Sequence, residues 1–76
     1  MITTEMKLTE LKRGQNATVA ELDTGDERVL RKLMSMGILP GMTLKMLLTF
    51  PTYVFQIGYT QVAVDKTMAS AIMVYV

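Results

Sequence analysis

The chain has 76 residues, no cysteine and no histidine, and a formal net charge of +1. This length predicts one small domain spanning residues 1–76. The missing thiols and imidazoles exclude disulfide staples, thiolate or imidazole metal centres, and Cys- or His-based nucleophilic catalysis. The near-neutral charge gives no electrostatic basis for binding nucleic acid or an anionic membrane.

Residues 1–5 read as a loose leader. Lys7, Glu10, Lys12 and Arg13 interrupt the N-terminal region before any apolar run develops, so no signal peptide is expected. The longest clearly apolar run, 71–76, is far shorter than the ~20 residues a membrane span needs. Within 6–13, Leu8 and Leu11 stand three apart, which predicts a turn of helix or an irregular segment pinned by two leucines and ended by Gly14. Residues 17–22 alternate and predict a strand, with Ala17 and Val19 on one side and Thr18, Ala20 and Leu22 on the other; either side suits burial.

Asp23, Thr24, Gly25 and Asp26 form a turn cluster. Thr24 and Glu27 have capping-box spacing, so a helix is expected to start near Gly25 or Asp26. At ~100° per residue, Val29, Leu30, Leu33, Met34 and Met36 share one arc, and Arg28, Arg31, Lys32 and Ser35 the other. The acidic group Asp23, Asp26 and Glu27 suits helix capping and the helix dipole better than a cation site. The basic face suits solvent.

Leu33, Met36, Gly37, Pro40 and Gly41 form the structural motif of the chain. Gly37 falls where a helix end requires positive φ. Pro40 and Gly41 suit the two central positions of a type II turn. Beyond them, 42–50 predicts a strand with Leu44, Met46, Leu48 and Phe50 inward and Thr43, Lys45, Leu47 and Thr49 outward. Residues 53–57 predict a second strand, Gly58 to Thr60 a turn, 61–65 a strand with Val62 and Val64 inward, 67–70 a short turn open to helix, and 72–76 a last strand. Five short strands, one short helix and closely spaced turns predict a mainly β, small, partly open barrel. Eight methionines are expected chiefly as core filler, with Met34, Met36 and Met46 inward.

No Asp, Glu, Lys or Arg occurs from Met46 to Val64. A sheet surface with so few charges is poorly protected against association. The candidate partner-binding residues are therefore Leu47, Thr49, Val54 and Tyr59, joined by Leu39 in the exposed connection after the helix. No phosphate loop, acid–base–nucleophile set or metal triad is present, so no catalytic residue, cofactor site or metal site is assigned.

The ordered motifs Leu8-x-x-Leu11-x-x-Gly14, Ala17-x-Val19, Leu30-x-x-Leu33-x-x-Met36-Gly37-Ile38-x-Pro40-Gly41, Val62-Ala63-Val64 and Ala69-x-x-Ile72-x-Val74 resemble the FeoA family along nearly the whole chain. The resemblance implies an SH3-like barrel. It also implies a non-catalytic bacterial cytoplasmic protein that accompanies FeoB, a membrane ferrous-iron transporter with a cytoplasmic G-protein domain. On that reading the chain binds and modulates the transporter and is recruited to the inner face of the membrane without inserting. The charge-free sheet surface suits a partner or weak self-association with a second copy, and the +1 charge argues against nucleic acid. The same fold serves as a C-terminal domain in metal-dependent repressors, which is the alternative function. Two positions depart from the family pattern. Asp65 stands where a basic residue is usual, and Thr49 to Tyr53 form an uncharged, aromatic loop where the family carries charge.

Overall fold

The computed structural model describes residues 4–76. Six antiparallel strands make one sheet: β1 (Glu5–Lys7), β2 (Asn16–Leu22), β3 (Thr43–Leu48), β4 (Tyr53–Ile57), β5 (Thr60–Val64) and β6 (Ile72–Tyr75). Their order across the sheet is β1-β6-β2-β3-β4-β5, so β1 and β5 are edges and the barrel stays open. The mainly β, partly open architecture agrees with the expectation, but the described residues form six strands rather than five. The added strand is β1. Its Glu5, Met6 and Lys7 pair with Tyr75, Val74 and Met73, partners with no sequence-local signature. Residues 1–3 of the expected leader lie outside the described residues.

Two helices accompany the sheet: α1 (Glu27–Ser35) between β2 and β3, and the short α2 (Lys66–Ala69) between β5 and β6. The expected turn at 67–70 is thus helical for one turn. Asp65 caps it, its carboxylate accepting from the Met68 N–H at 2.8 Å. A 3-10 turn at Leu8–Glu10 carries Leu8 into the core.

The start of α1 lies one to two residues later than expected. Asp26 is the N-cap, and its carboxylate accepts from the Arg28 N–H at 2.9 Å. Thr24 sits outside the helix, its hydroxyl accepting from the Asp26 N–H at 3.1 Å. An Asx cap satisfies the same orphan donors as the Thr–Glu box, so composition alone does not separate them.

The helix end is a Schellman motif. The Ile38 N–H donates to the Leu33 carbonyl at 3.1 Å, and the Gly37 N–H to the Met34 carbonyl at 3.0 Å. Gly37 has φ +83°, the left-handed conformation the motif requires. Leu33 and Ile38, the apolar pair that accompanies such a turn, are both fully buried. The Met42 N–H then donates to the Leu39 carbonyl at 3.1 Å, closing a turn whose third residue, Gly41, has φ +92°. These are the bond and sign of a type II turn. Gly41 and Met42 bond to Val19 at 2.8 Å each, so the turn is tied to the middle of β2.

The helical arc buries less than its pattern predicts. Only Leu33 is buried; Val29, Leu30 and Met36 are half-buried, and Met34 is exposed. A short helix over one end of a small sheet shields a narrow stripe, and Met34 falls at its margin.

Two β-bulges override the alternation. In β2 the register shifts between Val19 and Glu21, so Ala17 and Val19 face the core and Leu22 also turns toward it. In β3 it shifts between Met46 and Leu48, leaving Leu47 as the extra residue. Each bulge adds one residue to one strand and exchanges the faces beyond it. Leu44 and Met46 are buried as expected, but Leu48 and Phe50 are exposed and Leu47 is half-buried. The core joins Leu8, Leu33, Ile38, Met46, Phe55 and Ile72 with the smaller residues between them.

Candidate interaction surface

The sequence-derived contact residues fall into two groups at opposite ends of the β3–β4 pair. Leu47, Thr49 and Val54 surround the hairpin connecting β3 to β4, and all three are half-buried. Leu39 and Tyr59 lie at the other end, Leu39 in the turn before β3 and Tyr59 in the two-residue hairpin between β4 and β5. At about 3.3 Å per residue the groups stand roughly 20 Å apart along β3, so they do not form one patch.

The hairpin end is the more apolar group, and its most prominent members are residues that alternation assigns to the core. Phe50 is 84% exposed and Leu48 43%. Leu48 pairs with Val54, and Val54 with Ala63, giving an apolar row across three strands on the outer face. The bulge at Leu47 turns Leu48 outward into that row. The sequence signals for this are the missing charges and Pro51, which ends the alternation just after Phe50. Neither fixes the position of a bulge.

The other end carries Tyr59, whose side chain is fully exposed. Met42, also exposed, brings its Cε to 3.8 Å from where a Cβ on Gly58 would stand. Between the two ends runs a shallow groove of about 610 Å³ lined by Thr18, Thr43, Lys45, Gln56, Tyr75 and Val76, among others. Lys45 is its one charged lining residue.

The other charged residues lie elsewhere. Arg28 pairs with its own helix cap Asp26 at 3.7 Å, and Arg31 with Glu27 at 3.5 Å, all well exposed. Such pairs contribute little to stability, typically about 0–1 kcal/mol. Asp26 and Glu27 are thus engaged with the helix and its arginines. Among the described residues, no three His, Cys, Asp or Glu side chains are grouped to hold a metal ion.

Glu5 of β1 lies close to Glu21 and Asp23. Partial loss of hydration, a side-chain hydrogen bond with Glu21 and the charges of Glu21 and Asp23 raise its carboxyl above the usual carboxylate value. The folded chain therefore holds this proton more tightly than the unfolded chain. Its contribution favours folding at low pH and is lost as pH rises through the raised value. Glu5→Gln is expected to increase the melting temperature slightly at pH 7 and to leave it unchanged near pH 3, as measured by thermal melts at both values.

A model of the FeoA domain matches residues 6–76. The chain belongs to the FeoA family. An iron uptake regulatory protein, FeoA, superposes with a TM-score of 0.85 at 27% identity, over 96% of this chain and 99% of that one. FeoA of Chlorobium tepidum gives 0.84 at 30% identity over 93% of this chain and 70% of its own. A manganese-dependent transcriptional repressor gives 0.88 at 26% identity, over 97% of this chain but 42% of the repressor. The SH3-like fold thus occurs both in FeoA proteins and within a larger metal-dependent repressor. FeoA of Stenotrophomonas maltophilia, at 23% identity and a TM-score of 0.81, is described as a prokaryotic SH3 domain protein, in agreement with the expected fold. A search of curated protein sequences returns no significant match. Among the described residues, no helix is long and apolar enough to cross a membrane.

Proposed function

We propose that this FeoA-family chain is a non-catalytic accessory of ferrous-iron uptake that binds the cytoplasmic side of a FeoB-type transporter and biases its states. The observation that carries this reading is the apolar β3–β4 hairpin end, Leu48, Phe50 and Val54, in a stretch without a single charge. Exposed, clustered apolar side chains on a small protein mark contact surfaces. Leu47 and Thr49 support that end, and Leu39 and Tyr59 offer a second contact at the far end of the strands. Regulation follows only if the surface prefers one transporter state, because a ligand with equal affinity for both shifts neither.

The family names support the iron pathway. Besides the relatives above, iron(II) transport protein A of Clostridium thermocellum is 31% identical over 93% of this chain and 45% of its own. The lack of histidine and cysteine makes tight ferrous binding by this chain alone unfavourable, so the proposed role is contact with the transporter and not iron carriage. The proposed location is the cytoplasm, with recruitment to the inner membrane face through the partner.

Immobilised chain should retain the purified cytoplasmic domain of a FeoB-type transporter, with retention that changes between the GDP-bound, GTP-analogue-bound and nucleotide-free forms. Equal retention in all three states removes the regulatory part of the proposal, and no retention in any state removes the partner. The similarity to a manganese-dependent repressor favours a second reading, a regulatory module for a DNA-binding protein. That reading predicts retention of a metal-dependent repressor's DNA-binding domain in place of the transporter domain.

A further inference from the structure

The two edges of the sheet are built differently. β1 is three residues long and carries Glu5 and Lys7, a short, charged edge of the kind that discourages further pairing. β5 is five residues long, Thr-Gln-Val-Ala-Val, with no charge, proline or bulge. Among the described residues its one strand neighbour is β4. Gln61 and Ala63 are exposed, and among the described residues no backbone hydrogen bond outside the β4 ladder involves residues 60–64.

The register shows which groups are free. Ile57 and Thr60 close the two-residue hairpin, so they form a hydrogen-bonded pair, and the pairs alternate from there. Phe55–Val62 and Tyr53–Val64 are then hydrogen-bonded, while Gln56–Gln61 and Val54–Ala63 are not. The N–H and C=O groups of Gln61 and Ala63 therefore point away from β4, along the open edge.

We propose that β5 pairs antiparallel with β5 of a second copy of this chain, in a two-fold register centred on Val62. In that register Gln61 of each copy faces Ala63 of the other, and the outward groups of both residues form four inter-chain hydrogen bonds. Thr60 faces Val64, and the two Val62 residues meet as a β-branched cross-strand pair. It is the register in which every residue of β5 pairs with a residue of β5. Long Gln61 side chains lie against small Ala63 side chains on the outer face. Because residues 46–64 carry no charge, the two identical edges approach without the like-charge repulsion that normally blocks self-pairing. The same register carries the fully exposed Tyr59 ring against Asp65 and Lys66 of the second copy, where the lysine can sit over the ring.

One strand pair covers far less than the ~1,200 Å² of a standard stable interface. The association is accordingly weak and appears only at high protein concentration. The pairing uses the sheet edge and leaves the outer-face row of Leu48 and Val54 open. It stands independently of the transporter reading.

Sedimentation and amide hydrogen exchange across a concentration series test the proposal on the unmodified protein. The average mass should rise toward the dimer at the top of the concentration series. Over that range, exchange at the Gln61 and Ala63 amides should slow several-fold. The Val62 and Val64 amides, bonded to β4, should be slow throughout. Ala63→Pro removes the outward N–H without removing a β4 bond and should stay monomeric with an unchanged circular dichroism spectrum. A monomer at about 2 mM overturns the proposal, as does a dimer in which Gln61 and Ala63 exchange is unaltered. Dimerisation of folded Ala63→Pro with the affinity of the parent overturns it as well.

Discussion

Leu33→Ala is expected to cost about 2–5 kcal/mol, the range for removing a fully buried leucine. A chain of 76 residues has a total stability of roughly 4–11 kcal/mol, so this single change removes a large share of it. The effect is large because Leu33 serves two structures at once. It is the one fully buried side chain of α1, and its carbonyl receives the Ile38 N–H that closes the helix end. Ile38→Ala should cost a similar amount from the other side of the same contact. Met34→Ala, one residue from Leu33 but exposed, should stay within about 0.5 kcal/mol. Gly37→Ala should cost about 1–2 kcal/mol for a different reason, since alanine at φ +83° is strained although no neighbour lies within 4 Å. Urea unfolding followed by circular dichroism measures all four. A Leu33→Ala midpoint close to that of Met34→Ala contradicts the assignment of the core.

Leu48→Lys combined with Phe50→Ala is expected to abolish binding to the transporter's cytoplasmic domain while the protein remains folded. Anchor residues at interface centres typically contribute 2 kcal/mol or more each, about 30-fold in affinity. Phe50 is 84% exposed and Leu48, at 43%, lies on the outer face, so replacing them should change stability by only about 0.5 kcal/mol. The double change separates contact from folding because Leu48 lies on the outer face beyond the bulge. Leu47→Lys does not serve the same purpose. Leu47 is half-buried at the bulge, so a charge there disturbs the sheet as well as the surface. Unaltered binding of the double variant, with the parent's unfolding midpoint, rules out the hairpin end as the contact. The changes leave Gln61 and Ala63 untouched, so the variant should retain the weak self-association proposed for β5.

The features written locally in the sequence were legible. Gly37, Pro40 and Gly41 specify their turns through backbone sterics, and both glycines adopt the positive φ that their residue type favours. The β4 strand, the inward Val62 and Val64, and the buried Leu44 and Met46 follow from alternation with period two. β1 was not legible because three residues pair with a strand almost seventy positions away, and no local periodicity marks such a pairing. The faces of Leu48 and Phe50 were not legible either. Alternation holds only until a bulge, and the bulge between Met46 and Leu48 leaves no mark in the residue types around it. For the surface, the charge-free stretch contains the exposed apolar hairpin end, and its contact role is a proposal. The exposed members of the hairpin end were hidden among residues that looked like core. Tyr59 joins that group through the charge-free stretch and Leu39 through the exposed connection after the helix, but the fold sets both at the far end of β3.

The transporter contact is tested most directly by titrating isotope-labelled chain with the unlabelled cytoplasmic domain of a FeoB-type transporter and following every backbone amide. Perturbations are expected to concentrate at Leu47, Leu48, Thr49, Phe50 and Val54, with α1 unaffected. Perturbations centred on Arg28, Arg31 and Lys32, or none at a saturating excess of the domain, would contradict the account.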